Sequence, residues 1–94
     1  MADDFDDVEE FDIERDLARA EMTLTVRVER RRYDKPVTVV EGFEGDAVDL
    51  DELASTLKVA LGAGGTVNGN RIEIQGDHAD RVPDRLREEG FTVD

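Results

Sequence analysis

From Met22 the chain alternates. Met22, Leu24, Val26 and Val28 fall at every second position, with Thr23, Thr25, Arg27 and Glu29 between them. A period of two predicts a half-buried strand. A second apolar run, "PVTVVEGF", reads as another strand with Val37, Val39 and Phe43 on one side. The short polar segment between the two runs contains Asp34, and two strands so joined predict a hairpin.

The period then lengthens. In "DLDELASTLKVALGAGG", Leu50, Leu53, Ala54, Leu57 and Leu61 form a stripe at helical spacing. Asp49 is placed to cap this helix, with Glu52 three residues on, and Gly62 to end it. "TVNGNRIEIQG" predicts a second hairpin. Asn68-Gly69 would supply the two positive-φ positions of its turn, and Ile72 and Ile74 alternate with Arg71, Glu73 and Gln75. "DHADRVPDRLREEG" returns to helical spacing through Val82 and Leu86, with Pro83 suiting a helix that begins near Val82 and Gly90 as the stop. "FTVD" gives a short last strand through Phe91 and Val93. The order β-β-α-β-β-α-β predicts an α/β two-layer sandwich of the α+β class, with two helices on one face of a single sheet. The pattern does not give the strand order.

Residues 1–12 have no clean period and are mostly acidic, which predicts disorder. Asp12 would cap a short helix over residues 13–21, with Ile13, Leu17 and Ala20 on one face. The expected organisation is an acidic tail over 1–21 and a folded domain over 22–94.

Charge sharpens that division. The 94 residues carry a net charge of -13. Residues 1–21 account for -8 and residues 22–94 for -5, yet Arg27–Lys35 reverses sign to +3. Arg30, Arg31 and Arg32 stand side by side with Tyr33 and Lys35. Acids outnumber bases about two to one, and Lys35 and Lys58 are the only lysines, as expected of a protein adapted to concentrated salt. A mesophilic protein with an acidic interaction tail is the alternative. There is no cysteine, no apolar run of membrane length and no basic leader, so a soluble intracellular protein is expected.

Catalytic chemistry finds little support. "GAGGTVNGN" matches neither the phosphate loop nor the dinucleotide fingerprint. His78 is the single histidine, too few for an ordinary transition-metal site, and Ser55, the single serine, falls in mid-helix. We expect no enzyme, no cofactor and no metal. What remains is the basic hairpin tip. Guanidinium forks match phosphate, and Tyr33 offers a face for stacking an unpaired base, which suggests contact with nucleic acid. Charge that deters edge-to-edge aggregation is the plainer reading.

"RRRYDKPVTVVEGF", "DLDELASTLKVALGAGGTVNGNRIEIQGDHADRV" and "LREEGFTVD" closely resemble the archaeal and eukaryotic type of translation initiation factor 1, over about residues 22–94. Gly64-Gly65-Thr66-Val67 followed by the "IQGDH" of residues 74–78 is the most specific part. The resemblance implies two helices against a mixed sheet of about five strands. It implies binding to the small ribosomal subunit near the P site, with ribosomal RNA, initiator tRNA, mRNA and other initiation factors as partners. It assigns RNA contact to Arg30, Arg31, Arg32, Tyr33 and Lys35 at the first tip, and to Gly65, Thr66, Val67, Asn68 and Gly69 at the second. Lys58 and Arg71 are weaker candidates. The chain departs from the family at Asp34, where glycine is common, and at Ala79, where arginine is common. It also has an acidic tail where some archaeal members have a zinc-binding segment. A divergent member that inhibits initiation, and an interaction module working through its acidic tail, are the alternatives.

Overall fold

A computed structural model describes residues 17, 19–44 and 48–94. Their strands and helices are β1 (Thr23–Arg31), β2 (Lys35–Glu41), α1 (Leu50–Leu61), β3 (Gly65–Asn68), β4 (Arg71–Gln75), α2 (Val82–Glu88) and β5 (Thr92–Val93). The five strands form one sheet in the order β3-β4-β2-β1-β5. Neighbours are antiparallel except β1 and β5, so the sheet is mixed.

Strand alternation decides which side chains are covered. Leu24 and Val26 of β1, Val40 of β2, Ile72 and Ile74 of β4 and Val67 of β3 share one face by register. Leu53, Ala54 and Leu57 of α1 and Val82 and Leu86 of α2 pack onto that face and form one core with it. Both helices therefore lie on the same side, giving the expected two-layer sandwich. Asp49 caps α1 by accepting the Glu52 N–H at 3.1 Å, and Gly62 ends it in the left-handed conformation. Pro83 sits in the first turn of α2, where its missing N–H costs no helix bond.

Three details differ from the sequence reading. Val37 and Val39 do not share a side with Phe43. Val40 points into the core, Val37 and Val39 lie on the opposite face, and Phe43 is buried against Phe91 with ring centroids 6.0 Å apart. The alternation is reset because β2 ends at Glu41 and Gly42, at φ 113°, turns the chain. The second hairpin turns on Gly69-Asn70, since Asn68 pairs with Arg71. Positive φ falls on Gly69 (64°) and not on the pair Asn68-Gly69, the sign pattern of a type II′ turn. Finally, residues 17 and 19–21 are helical, but Leu17 is 57% exposed and Ala20 is also exposed. Arg19 docks instead. Its guanidinium lies 5.3 Å from the Phe91 ring centroid and donates to the Glu89 carbonyl at 3.0 Å. The expectations for Ile13 and for the acidic stretch over 1–12 lie outside the described residues.

Candidate nucleic-acid interface

The face of the sheet away from the helices carries charge in a fixed pattern. β1 presents Arg27, Glu29 and Arg31 there, β2 presents Glu41, and β4 presents Arg71 and Glu73. These six side chains close into a ring of alternating sign. Arg27 bonds Glu29 at 3.0 Å and also Glu41. Arg31 bonds Glu29 at 2.7 Å and Glu73 at 3.0 Å. Arg71 completes the circuit to Glu41 at 3.4 Å and Glu73 at 3.3 Å. Register places Val39 between Arg27 and Glu73, inside the ring. Val39 is fully buried although it lies on the face away from the helices, as expected where arginine stems lie over apolar surface.

The ring is neutral and holds its members in their charged forms. Hydrogen bonds from Arg31 and Arg27 hold Glu29 below its ordinary value. Arg27 chiefly does the same for Glu41, and Arg31 for Glu73. Glu73 in turn raises Arg31, and Glu41 raises Arg27.

This arrangement divides the basic block. Because a strand alternates, Arg30 and Arg31 point to opposite faces. Arg31 joins the ring, whereas Arg30 donates only to the tip, reaching the Asp34 carbonyl at 3.3 Å. Arg32, Tyr33 and Asp34 form the loop, with Arg31 paired to Lys35 and the Lys35 N–H donating to the Arg32 carbonyl. Tyr33 (φ 63°) and Asp34 (φ 61°) are both left-handed, a conformation sparsely used by residues with a side chain. Tyr33 is 84% exposed. Among the described residues, Arg30, Arg32 and Lys35 form no ion pair with a carboxylate. With Asp34 they leave the tip at a net +2.

The remaining candidates do not converge on this tip. β2 runs from the tip at Lys35 to Glu41 beside Arg71, so the Gly69-Asn70 turn lies at the opposite end of the sheet. Seven strand residues set that separation at roughly 20 Å. Arg71 belongs to the ring, Val67 packs against the core, and Asn68 and Gly69 sit at the far turn. Gly65 opens edge strand β3 beside Ile74, at the end of the sheet nearer the tip, and Thr66 follows it. Lys58 is half-buried in the last turn of α1, on the helix layer. His78 is held by local bonds: its N–H donates to the buried Thr38 hydroxyl at 2.9 Å, and its Nε2 lies 2.9 Å from the Gln75 carbonyl oxygen. Among the described residues, no three His, Cys, Asp or Glu groups are gathered to hold a metal.

Sequence reading missed the ring and a groove beside the tip. The groove, of about 390 Å³, is lined by Arg31, Arg32, Lys35, Pro36, Val37, Gln75 and Gly76. The ring's signal was present in the i, i+2 spacing of Arg27, Glu29, Arg31 and of Arg71, Glu73. Only the pairing of β1, β2 and β4 joins the two sets.

The family described as "Translation initiation factor SUI1" matches residues 20–92. A protein translation factor SUI1 homolog of Methanosarcina mazei is 47% identical over 79 residues, covering 84% of this chain and 78% of its own. The corresponding homolog of Sulfolobus acidocaldarius is 49% identical over 80 residues, covering 85% and 81%. That of Methanocaldococcus jannaschii is 42% identical over 79 residues, covering 84% and 77%. The match spans the whole sheet except the final residue of β5, both helices and both hairpins, and this chain belongs to the SUI1 family of translation initiation factors.

Proposed function

We propose that this chain binds the small ribosomal subunit near the P site during initiation and monitors start-codon selection there, with no bond-making chemistry of its own. The observation that carries this reading is the tip: Arg30, Arg32 and Lys35, with Tyr33 at 84% exposure, project from an acidic protein that has neutralised its other sheet arginines. Cations left without carboxylates are available to phosphate, and an exposed aromatic ring to an unpaired base. Family membership supplies the setting of translation initiation. Ribosomal RNA, initiator tRNA and mRNA are the surfaces such a tip would meet, and the cytoplasm is where it would meet them.

The mechanism is occupancy. A protruding loop fits beside one arrangement of codon and anticodon better than another, and that difference in affinity shifts the population. About 1.4 kcal/mol of difference gives a tenfold preference. Co-sedimentation with purified small subunits tests the reading. The wild type is expected to pellet with subunits, and the Arg30→Ala/Arg32→Ala/Lys35→Ala variant to pellet to a markedly smaller extent at the same concentrations. Equal pelleting of both would overturn the assignment of the tip.

A second reading is a divergent member that restrains initiation. It is favoured by Asp34, which takes a left-handed conformation and lowers the charge of the tip. Adding excess protein to a reconstituted initiation assay separates the two, since a restraining factor lowers the yield of complexes at a correct start codon.

A further inference from the structure

We propose that the groove between the basic tip and the end of β4 seats one unpaired nucleotide of single-stranded RNA. Arg32 and Lys35 would hold its phosphate, Val37 would lie under its base, and the Gln75 amide, swung from over Gly64, would meet the base edge. The proposal rests on the ribosomal reading above and narrows it to a ligand and a pocket.

Four observations carry it. At about 390 Å³ the groove falls within the range of small-molecule sites. Its charge is one-sided: Arg31 on the wall is already bound to Glu29 and Glu73, so the cations left for an anion are Arg32 and Lys35. Half-buried Val37, on the same face as Gln75 by register, provides an apolar surface between those cations and β4, with Pro36 at the groove's margin. Lastly, Gln75 is fixed by its backbone, and its side-chain amide lies over Gly64. Its N–H donates to the Gly64 carbonyl at 2.8 Å, and its carbonyl oxygen lies 2.9 Å from His78 Nε2. Its exposed amide has no hydrogen-bond partner among the described residues. The next residue, Gly76, is tied back by donating to the Pro36 carbonyl at 2.9 Å.

An amide offers both donors and an acceptor, which is what a base edge requires and a bare phosphate does not. Unpaired RNA is recognised through such edges together with stacking on flat or apolar surface. An acidic peptide would engage Arg32 and Lys35 but leave the Gln75 amide and the Val37 surface without a role, so RNA is the better match.

Nuclear magnetic resonance titration of the full chain tests this with four probes: penta-adenylate, penta-uridylate, inorganic phosphate and a penta-aspartate peptide. At least one oligonucleotide is expected to shift the Gln75 side-chain amide and the Val37 methyls together with Arg32 and Lys35. Phosphate is expected to shift the cations alone. Gln75→Ala should weaken the oligonucleotide about five- to tenfold and leave phosphate binding unchanged. Arg32→Ala/Lys35→Ala should weaken both. The groove proposal is overturned if the oligonucleotides shift no more residues than phosphate does, if Gln75→Ala binds them as the wild type does, or if the aspartate peptide reproduces the Gln75 and Val37 shifts. Subunit co-sedimentation is measured on the same samples. Wild type that pellets with subunits but shows no Gln75 response sinks the groove alone. A Gln75 response without pelleting sinks the ribosomal reading and keeps the groove.

Discussion

Salt dependence separates free cations from paired ones. Arg27–Lys35 holds five basic residues, and counting them all would predict five phosphate contacts. Arg27 and Arg31 are engaged with Glu29, Glu41 and Glu73, which leaves Arg30, Arg32 and Lys35. Each neutralised phosphate contributes about 0.7–0.9 to the slope of log affinity against log salt, so three contribute about 2–3. Between 50 and 200 mM salt, the wild type should lose roughly 15- to 40-fold more affinity for the small subunit than the Arg30→Ala/Arg32→Ala/Lys35→Ala variant does. Fluorescence anisotropy of labelled protein over a salt series reads the slope directly. The control is Arg27→Gln/Glu41→Gln, which removes a pair within the ring and leaves net charge unchanged; its slope should match the wild type. An unchanged slope in the triple variant, or an equal fall in the control, would refute the division into free and paired arginines. At molar salt the electrostatic component fades. Binding that persists there would measure Tyr33 and the groove.

Three further outcomes follow from the same geometry. Val39→Ala should cost about 1.6 kcal/mol, from two lost methyl groups with little added cavity because arginine stems can settle; urea denaturation giving under about 0.5 kcal/mol would show that the ring does not shield this position. Glu29, Glu41 and Glu73 have folded values lowered below 4.5, so what they add to stability is present above pH 4.5 and is lost as pH falls through the lowered values. The melting-temperature gap between wild type and Glu73→Gln should therefore hold near neutral pH and close in acid, and a gap that stays constant to pH 2 would contradict the linkage. Asp34→Gly should stabilise the fold by about 0.5–1 kcal/mol, because glycine relieves a left-handed residue at some cost in unfolded-state entropy. It should also tighten subunit binding by removing the acid of the tip, and destabilisation in thermal melts would contradict the strain argument.

Local signals set much of the fold. The alternation from Met22 to Glu29, the Asp49 cap, the Leu53–Leu57 stripe and the Pro83 start each depend on neighbours within a few residues, so they were legible in order. The opposed directions of Arg30 and Arg31 also follow from a period of two. Phe43 was misplaced because one positive-φ glycine breaks that period without leaving a hydropathy mark. The turn at Gly69-Asn70 was misplaced by one residue because register, not composition, chooses which pair closes a hairpin.

The sequence alone determined an α+β sandwich with a cluster of arginines in a turn. Tertiary structure decided which of those arginines are free. Glu41 and Glu73 lie 14 and 42 positions from their partners Arg27 and Arg31, and strand pairing alone brings them together. Charge counted along a chain cannot show that compensation, since an ion pair depends on distance in space and a strand register sets that distance.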